Sequence, residues 1–139
     1  MKMLCLMPTY GRRKALLENS IQLFLNQEYL YKTLLIFDDL GTLGTVDRTL
    51  NNVIIMSTNK RSHSVGAKYN LMLNYAQGYD GVVVWDDDDI YTPQHLTSHA
   101  ATLAKHPWSK PSRILSSYHQ PPAQEDASGR FHGSIAIRT

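Results

Sequence analysis

Four consecutive aspartates, Asp86 to Asp89, come directly after a short apolar run that begins at Gly81. The run is rich in Val and bounded by Gly, which predicts a buried strand with the four acids at its end. Neighbouring carboxylates repel one another, and they cannot be buried unpaired without a large desolvation cost. Mg²⁺ and Mn²⁺ prefer oxygen ligands, often one or two carboxylates together with substrate phosphates. The acids therefore indicate either a metal-assisted nucleotide site or a solvated acidic turn, and taken alone they favour neither.

Polar residues also follow two other predicted strands. Thr9 and Tyr10 come just after the first strand, and Asp38 and Asp39 end the second. In an α/β sheet the loops after parallel strands lie along one edge, and ligands usually bind there. We therefore expect these residues to converge with the acids at 86–89. That convergence favours a binding site over a solvated turn.

The order of apolar segments predicts the fold class. We expect strands over 3–7, 33–37, 52–56, 81–85, 113–118 and 131–138, helices over 12–27, 64–78 and 93–105, and loops over 40–51 and 121–129. Strands that alternate with helices favour βαβ crossovers and a mostly parallel sheet. The last two strands have no helix between them, so part of the sheet should be antiparallel, which makes it mixed.

The composition limits the class of protein. The length suits a single domain over 1–139, and 42% hydrophobic with 19% charged residues is ordinary for a globular chain. A net charge of +2 gives no support for nucleic acid or a membrane surface as a partner. Cys5 is the one cysteine, which excludes an internal disulfide, and we expect it to be a buried strand thiol. The first apolar segment is too short for a signal peptide or a transmembrane span, so we expect a cytoplasmic chain.

Five segments occur in an order that is more specific than any one of them. They are Met7-Pro8-Thr9-Tyr10-Gly11-Arg12, Ser20 with Gln27 on the first helix, Phe37-Asp38-Asp39, Gly66-Ala67-Lys68-Tyr69-Asn70, and Asp86 to Asp89 followed by Pro93. Together they resemble the family 2 glycosyltransferases, which use nucleotide sugars. The resemblance implies a GT-A fold, a three-layer α/β/α sandwich, here truncated at its C-terminal end.

The resemblance also implies roles for the nucleotide-base end of the site. Asp39 would accept a hydrogen bond from the base, expected to be uracil, with Thr9 and Tyr10 beside it. A tyrosine ring can stack on a base, which makes Tyr10 suitable. Asp38 is expected to hold its own loop instead, and a plain turn-forming role for Asp39 remains the alternative.

The diphosphate needs positive charge, for which the resemblance implies Lys68 first and Arg12 as a further contact. Gly66 lies two residues before Lys68 near a predicted helix N-terminus, where close backbone approach favours anions. The other basic residues nearby are expected to be solvated surface charges; they are Arg13, Lys14, Lys60 and Arg61.

The resemblance implies two roles for the acids at 86–89, which are to bind the metal and to bind the sugar. By resemblance Asp88 would bind Mn²⁺ or Mg²⁺, and Asp86 or Asp87 would bind the ribose or the donor sugar. The metal would neutralise the leaving nucleoside diphosphate while an acceptor hydroxyl, of a molecule the sequence does not identify, receives the sugar.

The catalytic base is not identified in this sequence. In the family it is an acid beyond the last strand, whereas this chain ends at Thr139 and Glu125 and Asp126 precede that strand. The chain is therefore expected to lack the acceptor-binding half. Three hypotheses stay open: a glycosyltransferase donor domain, a non-catalytic nucleotide-binding or assembly module, and a nucleotidyltransferase, which usually has an early Gly-rich signature. An exposed apolar edge would favour a homo-oligomer.

Histidines and tryptophans offer weaker signals. His95 and His99 stand four apart on a predicted helix, a spacing that can bind metal, but surface histidines are the preferred interpretation. His119 and His132 flank a late loop and are minor candidates for contact with the sugar. Trp85 is expected in the core. Trp108 is expected to pack at a helix end.

Overall fold

A computed structural model describes residues 1–10, 14–44, 48–116, 121–128 and 134–139, with the backbone alone at 48–50. The elements in those ranges, in chain order, are β1 (Met3–Thr9), α1 (Lys14–Leu25), β2 (Lys32–Asp38), β3 (Arg48–Leu50), β4 (Val53–Ser57), α2 (Val65–Leu73), β5 (Gly81–Val84), α3 (His95–Leu103), β6 (Trp108–Ser109), β7 (Arg113–Ser116), β8 (Ala123–Asp126) and β9 (Ala136–Arg138). Among these residues no helix has both the length and the apolar character needed to cross a bilayer.

Seven strands form one sheet in the order β3-β4-β2-β1-β5-β9-β6. β4, β2, β1 and β5 are parallel, and Leu6 in β1 lies in register between Leu35 of β2 and Val84 of β5. β3 and β9 run antiparallel to their neighbours in that parallel block, and β6 runs antiparallel to β9. The mixed, mostly parallel sheet predicted from the sequence is confirmed.

Helices cover both faces of the sheet, which gives the predicted three layers. Alternate residues of β1 point to opposite faces, as the period of a strand requires. Met3, Cys5 and Met7 pack in one core with residues of α1 and α3, namely Leu17, Phe24, Leu96 and Leu103. Leu4 and Leu6 pack in a second core with Met72 of α2. Cys5 is fully buried, as expected, and burial raises the pKa of its thiol.

Three short strands were not predicted. β3 lies in the predicted loop over 40–51 and is joined to β4 by a two-residue turn, Asn51-Asn52, with φ of 48° and 64°. Asn tolerates this left-handed conformation, and turns with two positive φ values match the twist of a hairpin. β8 lies in the predicted loop over 121–129 and pairs with β7 in a separate two-stranded hairpin. β6 has only two residues, too few for a periodic signal.

All three helices end before the predicted residue, and α1 ends at Leu25 instead of position 27. α2 is capped by Ser64, as expected, because the Ala67 backbone N–H donates to the Ser64 hydroxyl over 3.1 Å. It ends at Leu73, before Gly78, whose φ of 85° places it in a turn. α3 spans nine residues and does not reach Lys105.

Candidate functional site

The ends of three parallel strands meet at one edge of the sheet. The Thr9 hydroxyl, at the end of β1, donates to Asp87 Oδ2 over 2.8 Å. Lys68 Nζ, from α2, donates to the Thr9 carbonyl over 2.9 Å and to Asp39 Oδ1, just beyond β2, over 2.7 Å. These contacts link residues up to 78 positions apart. The convergence expected from the sequence is therefore present in the structure.

Asp39 and Lys68 form a buried ion pair. The side chain of Asp39 is 1% exposed and that of Lys68 is 10% exposed. The Ser62 backbone N–H donates to the second carboxylate oxygen of Asp39 over 2.9 Å. Burial alone would raise the pKa of Asp39, but the bonds from Lys68 and Ser62 outweigh it and hold this pKa below its ordinary value. Asp39 is thus an ionised acceptor, and Lys68 faces it directly.

Tyr10 lies beside this pair under an arginine. The Arg61 guanidinium carbon is 5.0 Å from the centre of the Tyr10 ring, and its Nη1 donates to the Tyr10 hydroxyl over 3.2 Å. Sequence reasoning treated Arg61 as a surface charge, because the two residues are 51 positions apart and no pattern connects them. The structure places it at the edge of the site.

Asp38 organises the loop that follows β2. Its carboxylate accepts from the Leu40 and Leu43 backbone N–H groups and from the Thr42 and Ser57 hydroxyls. Burial by itself would raise the pKa of Asp38, and these four hydrogen bonds lower it below its usual value. The expectation that Asp38 holds its own loop, and not a ligand, agrees with these contacts.

The four consecutive aspartates differ in their surroundings. Asp87 is buried and bonded to Thr9, whereas Asp88 and Asp89 are exposed. Partial burial, then repulsion from Asp89 and Asp88, raises the pKa of Asp86 to about 6. Burial and the neighbouring Asp88 also raise the pKa of Asp89. The turn therefore concentrates negative charge at the surface while one member anchors it to β1.

Ser20 and Trp85 brace the start of this acidic turn from behind. The Trp85 indole N–H donates to the Ser20 hydroxyl over 2.9 Å, and that hydroxyl lies 3.3 Å from the Asp86 carbonyl. The Tyr91 ring stacks on Trp85 at 3.9 Å, and the Tyr91 hydroxyl accepts the Asp86 backbone N–H. Trp85 is fully buried, as predicted.

Gln27 bonds to the residues that lead from the acidic turn into α3. Its side-chain amide donates to the Thr92 carbonyl over 2.7 Å, and its side-chain oxygen accepts the Leu96 backbone N–H over 3.1 Å. The sequence offered Gln27 and Ser20 as parts of a pattern without roles. Ser20 lies in α1 and Gln27 lies two residues after its end, and both bond to the segment between β5 and α3.

Of the other two predicted phosphate contacts, Gly66 is described by the structure and Arg12 is not. Gly66 is exposed in the first turn of α2, and an added Cβ would meet only the Ser64 hydroxyl, at 3.8 Å. The structure thus shows no local crowding that requires glycine there. Arg12 lies outside the described residues, as do Arg13, His119 and His132.

The interpretation of His95 and His99 as surface histidines is wrong, because His99 is buried and His95 is half-buried with its Nε2 atom enclosed. His99 is 3% exposed and the two rings pack edge to face with centres 4.5 Å apart. Among the residues that the structure describes, neither buried Nε2 atom has a hydrogen-bond partner, while His99 Nδ1 lies 2.9 Å from the Ser109 hydroxyl. Burial lowers the pKa of His95 to about 3 and that of His99 to about 4. Trp108 also differs from expectation: it stands 56% exposed on β6.

The donor atoms at the acidic turn fit a hard divalent cation that is shared with a ligand. Within the described ranges no group of three or more His, Cys, Asp and Glu side chains is placed to hold a metal by itself. Asp88 nevertheless presents an exposed carboxylate next to acids that already repel one another. Mg²⁺ and Mn²⁺ are commonly held by one or two carboxylates when phosphates supply further oxygens.

Comparison with known proteins gives a family and a fold. Residues 5–122 match the model of "Glycosyl transferase family 2". No curated protein sequence matches the chain. The structure resembles the mannosyltransferase PcManGT from Pyrobaculum calidifontis, solved with GDP-Man and Mn²⁺, at a TM-score of 0.71 and 15% identity over 99% of this chain. It also resembles TarS of S. aureus with UDP-GlcNAc, at a TM-score of 0.62 and 21% identity over 83% of this chain. The chain spans 44% and 34% of those two proteins, respectively.

Proposed function

We propose that this chain, which belongs to glycosyl transferase family 2, binds a nucleoside diphosphate sugar and a divalent cation at the C-terminal edge of its parallel strands. The observation that supports this most is the direct linkage of three strand ends, through Thr9–Asp87 and through Lys68 with Thr9 and Asp39. A family that transfers sugars from nucleotide donors needs such a combined site. We further propose that the donor is a UDP-sugar and that the sugar passes to an acceptor hydroxyl.

Recognition of the base is assigned to Asp39 and Tyr10. Each Asp39 oxygen already accepts one bond, but a carboxylate offers about four acceptor positions and can take a further N–H donor. Because Asp39 is only 1% exposed, this contact requires the side chains that cover it to move when the base binds. Lys68 keeps this carboxylate ionised and fixed, so we assign it a positioning role beside Asp39 instead of a diphosphate contact. Tyr10 offers its ring as a stacking surface, and Thr9 fixes Asp87.

The acidic turn is assigned to the sugar and phosphate end. Asp88 would hold the cation together with the donor's phosphates, and Asp86 or Asp87 would bind the ribose or sugar. When bound, a divalent cation stabilises the negative charge that develops on the leaving nucleoside diphosphate. The Ser20, Trp85 and Tyr91 contacts hold the backbone of the turn in place for this task.

Transfer also needs a base that takes the proton from the acceptor hydroxyl. We assign that role to no residue of this chain. One of the two solved proteins carries GDP-Man and the other UDP-GlcNAc, so they support a nucleotide sugar in general. Uracil as the base remains part of the proposal.

Calorimetric titration with UDP, with and without Mn²⁺, tests the assignment. We expect Asp88→Ala to weaken Mn²⁺-dependent binding about tenfold or more, which is about 1.4 kcal/mol. Asp89→Ala is the matched control, because it removes an exposed carboxylate from the same turn and should change the affinity by less than about threefold. Absence of UDP binding by the unaltered chain would refute the proposal. Equal losses in both variants would refute the specific role of Asp88.

A further inference from the structure

Arg61 lies at the mouth of the site in a defined position. Its side chain is exposed on the segment between β4 and α2, and its guanidinium lies over the hydroxyl end of the Tyr10 ring, 5.0 Å from the ring centre. The next residue, Ser62, donates its backbone N–H to the buried Asp39 carboxylate. The segment is therefore fastened to the floor of the site at Ser62 and extends over Tyr10 at Arg61.

The charge of Arg61 differs from that of Lys68. Lys68 is buried and its ammonium bonds Asp39 and the Thr9 carbonyl, so its charge is already neutralised. Within the described part of the chain, no carboxylate lies within ion-pair distance of Arg61. Its contacts there are the Tyr10 ring and hydroxyl. At the edge of this site, Arg61 thus presents an exposed positive charge next to a surface on which a base can stack.

We infer that Arg61 binds the phosphates of the nucleotide and thereby makes the site select nucleotides over nucleosides. The inference rests on the proposed function. In this inference the base stacks over the part of the Tyr10 ring that the guanidinium now contacts, so the two exchange places. The anchor at Ser62 keeps Arg61 beside the base after the exchange, and its planar fork suits two phosphate oxygens at once.

The exchange is favourable because a weak contact is replaced by a stronger one. An exposed guanidinium beside the half-buried Tyr10 ring is held weakly, whereas hydrogen bonds between ionised groups are roughly twice as strong as neutral ones. A nucleoside displaces the guanidinium without offering it an anion. Arg61 therefore does not raise the affinity for uridine. It raises the affinity only for a ligand that carries phosphates.

The test compares Arg61→Gln with Lys60→Gln, which removes the same charge one position earlier on the same exposed segment. Affinities for uridine and for UDP with Mg²⁺ are measured by NMR titration, which reaches millimolar dissociation constants. We expect Arg61→Gln to weaken UDP about tenfold and to leave uridine within about twofold, whereas Lys60→Gln changes neither by more than about twofold. Arg61→Lys should recover only part of the UDP affinity, because it restores charge without the fork.

Three results would overturn the inference. Equal weakening of uridine and UDP would mean that Arg61 acts through Tyr10 and not through phosphate. Unchanged affinity for UDP would remove any role for the side chain. Equal weakening of UDP binding by Arg61→Gln and Lys60→Gln would mean that only the net charge of the segment matters. If the unaltered chain binds neither ligand, the proposed function itself fails, which is distinct from these results.

Discussion

At the scale of single residues, the Asp39–Lys68 pair determines the shape of the site. The sequence placed Lys68 near a diphosphate, because the spacing after Gly66 fixes its position on a helix but not the partner of its ammonium. The structure shows that the ammonium reaches across to the ends of β1 and β2. A buried ion pair contributes modestly when intact, but removing one partner leaves an uncompensated charge.

Lys68→Met should therefore destabilise the fold. It keeps the bulk of the side chain but leaves Asp39 buried without its cation, and we expect a loss of about 3 kcal/mol in the free energy of unfolding. Urea denaturation measures this. The matched control is Lys60→Met at an exposed position, with an expected change within about 0.5 kcal/mol. The double variant Asp39→Asn with Lys68→Met should recover part of the loss, and a stable single variant would contradict this role for the pair.

At the scale of elements, α1 supports the acidic turn although it contributes none of the predicted ligands in the described residues. Ser20 accepts the buried indole N–H of Trp85 and lies against the Asp86 carbonyl. Gln27 holds the segment that leads into α3. The position of the turn thus depends on side chains 65 to 69 residues away in sequence.

Ser20→Ala should weaken both stability and ligand binding. It leaves the Trp85 N–H buried without an acceptor, which costs about 1–3 kcal/mol. Thermal unfolding and UDP titration together measure the two effects. Ser98→Ala on the exposed side of α3 serves as the control and should change neither. A Ser20→Ala variant with unaltered stability would show that the indole finds another partner.

The same elements show what the sequence could and could not predict. Strong apolar runs such as the one after Gly81 predicted the parallel core of the sheet and the strand ends that carry polar residues. β3, β6 and β8 escaped prediction because they are short and their sequences, Arg-Thr-Leu, Trp-Ser and Ala-Gln-Glu-Asp, contain no apolar run. The contact of Arg61 with Tyr10 and the burial of His99 depend on tertiary packing, which no local pattern reveals.

At the scale of the whole molecule, the buried histidine pair should make stability depend on pH. Burial lowers the pKa of His95 to about 3 and of His99 to about 4, against about 6.5 in an unfolded chain. Between those values the unfolded state binds more protons than the folded state. The free energy of unfolding is therefore highest, as far as the histidines are concerned, above about pH 6.5, and it falls as the pH drops toward 4. Asp86, with its raised pKa, acts in the opposite direction below pH 6.

A variant without the two imidazoles isolates their effect. His95→Gln with His99→Gln cannot titrate, so between pH 7 and pH 5 it should lose less stability than the unaltered chain, by on the order of 1 kcal/mol per histidine. Denaturant unfolding at the two pH values gives the difference, in which the effect of Asp86 cancels. Parallel losses in both proteins would contradict the burial of the pair.

We still predict a homo-oligomer, because two apolar side chains that face each other on the outer strands are exposed. Trp108 of β6 lies opposite Ile137 of β9, and they are 56% and 52% exposed, respectively. Exposed apolar surface at a sheet edge favours association. We expect light scattering after size exclusion to give more than one chain per particle at micromolar concentration, and Trp108→Glu to reduce it. A clean monomer for the unaltered chain would remove this prediction.

We propose that the ends of β1, β2 and β5 form one nucleotide site. The most direct measurement is an NMR titration of the labelled chain with UDP and Mg²⁺, read at the backbone amides. We expect the signals of Tyr10, Asp39 and the turn at 86–89 to shift together, with one dissociation constant. Shifts confined to one of the three segments, or to the opposite edge around Lys2 and Tyr79, would contradict it.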